Sequence, residues 1–233
     1  MRIADLNWMQ LEEVLRREDR AVLPLGSTEQ HATLSLATDS ILAERVALEA
    51  AEPLGVPVFP VLPYGVTPYF TGYPGTVSLQ VETYLRVVGD VLDNLRRMGC
   101  RRILLVNGHG GNAPAASFAV EWAARSHDVR VKVHNWWNAP RTLAHLQGID
   151  ALGSHASWAE SFPWTRLAGV VAPEAPAPPI DRVRMSVMTP GEVRDYLGGG
   201  NMGGLHQRPD EDMLSLWRVG VQETREQLEG PWR

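Results

Sequence analysis

The sequence has almost no cysteine: Cys100 is the only one in 233 residues. An intrachain disulfide is therefore impossible, and a thiolate-rich zinc site is excluded. No apolar run approaches the ~18 residues of a membrane-spanning helix. The opening Met1-Arg2-Ile3-Ala4-Asp5-Leu6-Asn7-Trp8 has no secretory apolar core. The cytoplasm is the expected compartment, and no membrane is expected as a partner. A strong charge of either sign is also lacking. With 22 Lys and Arg against 27 Asp and Glu, the net charge of −5 gives no basis for binding nucleic acid or an anionic surface. Internal repeats and convincing domain boundaries are absent, so residues 1–233 are read as one domain, long enough to bury a full core. Apolar residues at 44% and charged residues at 21% are those of an ordinary globular protein.

Strand-like and helix-like stretches alternate. Ala21–Leu25 reads as a buried strand, and Asp39 or Ser40 can cap a following helix, Ile41–Ala51. Val56–Leu62 is a second β-prone run, interrupted by Pro57 and Pro60. Residues 63–76 are rich in Gly, Pro and aromatics, have no period, and read as a long functional loop. Ser78 is a candidate cap for the helix Val81–Met98, with Gly99 as its stop. Arg101–Val106 and Val129–Val133 are further strands, with a helix from Ala115 to Ser126 between them. A helix is expected from Ser154 through Trp164 to about Leu167. Ala172–Pro179 holds four prolines and can only connect. Thr189-Pro190-Gly191-Glu192 opens another helix, Gly198–Gly204 reads as a flexible loop, and Asp210–Glu226 is a C-terminal helix. This alternation predicts an α/β fold with a mostly parallel sheet.

The polar motifs fall at strand ends, where open α/β sheets place ligands. Glu29, His31 and Asp39 occupy eleven residues after the first strand. Asn107-Gly108-His109-Gly110-Gly111-Asn112 follows the next long strand. It lacks both the G-x-G-x-x-G spacing and a Walker lysine, so it is not read as a nucleotide turn. Its content is a histidine among glycines that let the backbone approach a ligand. His155 and Glu160 stand five apart, in the apolar company of Trp158, Ala159, Phe162 and Trp164. Eight tryptophans are many for this length, and some are expected to line a pocket or an interface.

Taken together, Ser27-Thr28-Glu29-Gln30-His31 with Thr38-Asp39, then Asn107–Asn112, then His155-Ala156 with Glu160-Ser161, resemble the creatinine amidohydrolase (creatininase) family over roughly residues 20–165. A weaker match, Tyr64-Gly65 with Pro74-Gly75-Thr76, lies between. The resemblance implies a three-layer α/β/α fold, a ring-like homohexamer and two divalent metal ions (Zn, Mn or Fe). It also implies hydrolysis of cyclic amides or related C–N bonds in a small-molecule substrate. Glu29 and His109 resemble the ligands of one metal, His31 and Glu160 those of the other, and Asp39 the bridge. His155 matches the acid/base histidine. Trp136 and Trp137 fall near a tryptophan that closes over substrate in creatininase, and Tyr69 and Phe70 of the aromatic loop are further substrate-contact candidates.

Four departures accompany the resemblance. The loop Ala32–Ala37 replaces a Gly-Pro-His-Leu-Pro run and is one residue shorter. Gly110-Gly111 stands where creatininase has Tyr-Glu, which shifts a ligand role to Glu160. Ser154 replaces a glutamate, and the loop near Phe70 lacks a histidine that many members carry. These changes leave the metal ligands in place and weigh against creatinine itself. Amide hydrolysis, opening of a carbocyclic diketone, peptide trimming and a non-catalytic metal-binding role are the readings carried forward. Gly198–Gly204 and His206 are candidates for reaching a neighbouring subunit's site.

Overall fold

A computed structural model describes residues 1–232. Among them, the chain runs α1 (Trp8–Leu15), β1 (Arg20–Leu25), α2 (Thr38–Ala51), α3 (Val81–Arg97), β2 (Arg102–Asn107), α4 (Pro114–Ser126) and β3 (Arg130–Asn135). It continues through α5 (Pro140–Ile149), α6 (Arg182–Met185), α7 (Pro190–Leu197) and α8 (Asp210–Glu229). The strands form one parallel sheet in the order β1-β2-β3. Val56–Leu62 lies along the free side of β1 as an irregular fourth strand: Phe59 N donates to Val22 O, and Leu62 N to Pro24 O. Pro57 and Pro60 remove two N–H groups from this run, which suits a sheet edge and breaks the regular ladder.

Alternation along the strands builds the three layers. Ala21, Leu23 and Leu25 of β1 and Ile103 and Leu105 of β2 pack under α3 and α4, against Tyr84, Val88, Leu92 and Trp122. Val22, Leu104 and Val106 point the other way, into Leu42 and Val46 of α2 and Met213, Leu216 and Trp217 of α8. Both faces are covered, which is why these strands read as continuous apolar runs rather than as alternating ones. Several tryptophans serve this core: Trp122, Trp136, Trp158 and Trp217 are buried in it.

The strand register aligns the site. Leu25 pairs with Asn107, and Asn107 with Asn135, so three strands end at one level. Asn107 Nδ2 donates to Asn135 Oδ1 at 2.9 Å, and Asn112 Nδ2 donates to Gly26 O at 3.0 Å. The two asparagines of the glycine motif thus tie its loop to the ends of β3 and β1. The glycines serve packing first. A Cβ on Gly108 would lie 2.6 Å from Asp39 O, and one on Gly111 would overlap the Val66 carbonyl, whereas Gly110 faces open space.

Several local expectations are corrected. Asp39 and Ser40 do not cap α2 but lie in its first turn, because Thr38 Oγ1 donates to Ser35 O and starts the helix earlier. Ser78 does not cap α3: Gln80 precedes the helix, and Ser78 Oγ accepts from Thr67 N instead. The helix expected over 154–167 is reduced to a short turn, Trp158–Glu160. Ala156 has φ +57°, Ser157 Oγ donates to Ser154 O, and Pro163 follows, so the backbone coils around the site rather than running straight. α5 and α6 carry weak apolar patterns and were not anticipated.

α5 forms one wall of the site and is anchored from α8. The buried Glu223 accepts from Arg141 N (3.1 Å), Thr142 N (2.9 Å) and Thr142 Oγ1 (2.8 Å). Glu223→Ala strands these donors at a helix N-terminus and should cost about 1–3 kcal/mol, read from the urea unfolding midpoint; an unchanged midpoint would contradict this anchoring.

Candidate metal centre

The structure brings Glu29, His31, Asp39, His109, His155 and Glu160 together. They form three overlapping donor triads, Glu29–Asp39–His109, His31–Asp39–Glu160 and Glu29–His31–His155, and in each the donor atoms lie within 4.8 Å of one another. The six residues arrive from several separate segments. Glu29 and His31 follow the end of β1, Asp39 enters on the first turn of α2, and His109 follows β2. Glu160 is turned inward by Ala156 N, which donates to its Oε2 at 2.6 Å.

Asp39 occupies the centre. Its Oδ1 lies 3.0 Å from His31 Nε2 and its Oδ2 2.9 Å from His109 Nδ1. Ser27 Oγ donates to Oδ2 at 2.7 Å and fixes the carboxylate plane. The outer nitrogens of both histidines face main-chain carbonyls: His31 Nδ1 is 3.1 Å from Glu29 O, and His109 Nε2 is 3.0 Å from Val66 O. This network assigns a proton to each outer nitrogen and a lone pair to each inner one. The inner lone pairs then face carboxylates, acceptor against acceptor. Glu29 completes the pattern: both of its carboxylate oxygens are fully buried and neither makes a hydrogen bond, although Oε1 lies 3.3 Å from the inner nitrogen of His109. An orphaned buried carboxylate is costly, and two imidazole lone pairs aimed at three carboxylates are satisfied together by divalent cations. The donor set of oxygen and imidazole nitrogen fits a binuclear divalent-metal site.

Without cations, protons take their place. Burial opposes charge on His31, but Asp39, Glu160 and Glu29 outweigh it and raise its pKa to about 10. His109 is likewise raised against burial by Glu29 and Asp39. Asp39 is held well below the usual carboxylate range, where burial is overcome by the two histidines. Burial dominates at Glu160, pushing it up to about 7. His155 goes the other way: burial and then the charge of His31 lower it to about 4.

A cavity of about 560 Å³ opens above these groups, and Trp136, Trp137, Tyr69 and Phe70 all line it. Phe70 stacks on the His155 ring at 4.6 Å and 13°. The Gly198–Gly204 loop folds onto its own chain's site. Met202 N donates to His155 O, Gly200 O accepts from Gln30 Nε2, and Met202 lines the cavity. His206 lies instead in a separate surface depression beside Arg166 and Arg208. Sequence reasoning passed over Ser27, Gln30 and the Val66 carbonyl. The first two sit inside the motif that supplies Glu29, and a polar residue beside a ligand was the available signal.

The sequence profile of the creatininase family, described as creatinine amidohydrolase, matches residues 4–225. The chain belongs to the creatininase family. A solved creatininase superposes with a TM-score of 0.81 at 25% identity, covering 99% of this chain and 98% of that one. A form described as creatininase Mn gives 0.80 at 25% identity, covering 98% and 97%. These matches carry the three-layer architecture over the whole chain. Sequence relatives align over less. A Pseudomonas putida creatinine amidohydrolase is 30% identical over 160 residues, 63% of this chain and 62% of that protein. A Mycolicibacterium smegmatis mycofactocin precursor peptide peptidase is 31% identical over 175 residues, 65% of this chain and 70% of that protein. A Thermotoga maritima 3-dehydro-scyllo-inosose hydrolase is 34% identical over 103 residues, 43% of this chain and 33% of that protein. Family membership and the clustered donors together support a metal-dependent hydrolase.

The centre predicts a shared dependence on Asp39. Elemental analysis of protein purified without chelator should show more than one equivalent of divalent metal. Asp39→Ala should lose both ions, and Glu160→Ala mainly one; retention of both ions by the Asp39 variant would remove it from the bridging position. The raised histidine pKa values set the sign of the pH dependence. Metal must displace the protons on His31 and His109, so affinity should rise with pH from 6 towards 8, with net proton release on binding. Calorimetry in buffers of different ionisation enthalpy reads that release, and its absence would mean that the histidines are already neutral.

Proposed function

We propose that this creatininase-family chain hydrolyses a C–N bond of a cyclic or linear amide, using two divalent ions of zinc, manganese or iron(II). Glu29 and His109 would hold one ion, His31 and Glu160 the other, and Asp39 both. The observation that carries this reading is the pair of orphaned Glu29 oxygens beside inward-facing imidazole lone pairs. When bound, such ions lower the pKa of water towards neutrality and polarise a carbonyl oxygen. Amide cleavage is favoured over carbocyclic ring opening because two of the three relatives above are named for it. By family resemblance, residues 1–233 act as one domain of a cytoplasmic homohexamer.

His155 is the proposed proton carrier. Its Nδ1 faces the centre, 3.6 Å from Glu29 Oε1. Its Nε2 lies 2.9 Å from the donor Gln30 Nε2 and 3.1 Å from the acceptor Gln30 O. Nε2 therefore finds a partner whether or not it carries a proton, and Nδ1 is free to be lone pair or acid. Burial keeps the ring neutral at rest, which leaves Nδ1 with a lone pair that can take a proton from the attacking water and return it to the leaving nitrogen. This two-way role is the acid/base role that the family resemblance implies for His155. The apolar wall of Trp136, Trp137 and Phe70 excludes water around bound substrate.

His155→Ala should keep the fold and both metals while kcat falls by roughly 10²–10⁴-fold. Turnover on an amide panel with parallel metal analysis is the measurement. Loss of metal in proportion to activity would make His155 a ligand, as the Glu29–His31–His155 triad allows, and unchanged turnover would give the proton role to another group.

A further inference from the structure

The cavity above the donors is apolar over most of its wall, and one lysine or arginine among the described residues borders it, the exposed Arg182 at its rim. The nearby arginines are engaged elsewhere. Arg184 lies over the Tyr196 ring at 4.8 Å, Arg194 donates to Gly72 O at 3.1 Å, and Arg166 Nη1 donates to Asp210 at 2.5 Å. Arg182 is exposed, and among the described residues its guanidinium has no hydrogen-bond or ion-pair partner.

Its position is set by packing. Met185, three residues on, shares its face of α6. Met185 is buried with Phe70, Val193 and Met202, and it too lines the cavity. Phe70 in turn stacks on His155. The α6 face that carries Arg182 is thereby pinned to the wall leading down to the donor cluster.

We propose that Arg182 binds a carboxylate of the substrate, so that the substrate is an amide carrying a free carboxylate away from the bond that is cut. The inference rests on the hydrolase reading above. A guanidinium is a planar fork of N–H donors matched to a carboxylate. Substrate entry strips water from an apolar-walled cavity and strengthens such a pair. An uncharged ring would leave that guanidinium without a counter-charge at the cavity rim. One unpaired arginine balances one negative charge, which fits a carboxylate better than a phosphate dianion.

The test titrates metal-loaded protein calorimetrically with two matched pairs. One is hydantoin-5-acetate and its methyl ester, a cyclic amide with and without charge. The other is N-acetylglycylphenylalanine and its C-terminal amide, a peptide end with and without charge. In at least one pair the acid should bind about tenfold tighter than its neutral partner, the worth of one charge-assisted contact. The pair that shows the preference separates a small cyclic acid from a peptide C-terminus. R182M should abolish that preference with metal content unchanged, and R182K should keep part of it. Equal affinities within both pairs, no binding of either acid at millimolar concentration, or a preference that survives in R182M would overturn the proposal. Turnover is read separately on the same pairs. An Arg182-dependent preference without turnover leaves the carboxylate site standing and counts against the hydrolase reading.

Discussion

The contact on which the rest of the site depends is the one between Asp39 and two histidines. Each oxygen of one buried carboxylate faces a different imidazole, and each imidazole is held from behind by a main-chain carbonyl. That backing decides which nitrogen is free. With the outer nitrogens committed, the inner ones have nothing to meet but carboxylates, and Glu29 adds two more unanswered oxygens. The cluster is stable only with positive charge in it. Protons supply that charge in the metal-free state, which is why His31 and His109 are raised and Asp39 is lowered. Cation binding and proton loss are two sides of one balance.

The scaffold exists to hold that contact in place. The parallel register puts the ends of β1, β2 and β3 at one level, and the asparagines of the glycine motif tie those ends together. Gly108 lets the loop after β2 approach the first turn of α2, bringing His109 to Asp39. The negative charge of Asp39 sits at the start of that helix, where the helix dipole favours it. Packing and electrostatics here are one arrangement.

Above the donors, the groups that handle substrate come from segments with little regular structure. Phe70 sits in the aromatic loop, His155 in the coil before a short turn, and Met202 in the glycine loop. They are ordered by one another: Phe70 on the His155 ring, Gln30 on its Nε2, and Met202 on its main-chain carbonyl. A glycine at position 200 is needed because a side chain there would overlap Gln30.

Much of this was legible in the sequence. The alternating runs gave the α/β class, because strands covered on both faces must be apolar along their length. Glu29, His31, Asp39 and His109 stood out in the sequence because they follow buried strands, while His155 and Glu160 were picked out through the family resemblance; the fold gathers all six side chains into one cluster. Helix caps were less legible, since Ser40 and Ser78 had tertiary partners in Ser27 O and Thr67 N that outcompeted the local bond. The course of residues 154–167 was misread because an apolar, tryptophan-rich stretch looks helical until Glu160 is seen to take its hydrogen bond from Ala156 N. By itself, the sequence determined the layers and the strand ends, which follow from patterns a few residues long, and it marked the candidate donors through motifs shared with the family. Only the tertiary structure decided which imidazole nitrogen faces inward, that the glycine loop serves its own site, and that Arg182 borders the cavity without a partner among the described residues. Those facts depend on how separate segments meet, as where His109 faces the Val66 carbonyl and Gln30 donates to Gly200 O, which no local pattern encodes.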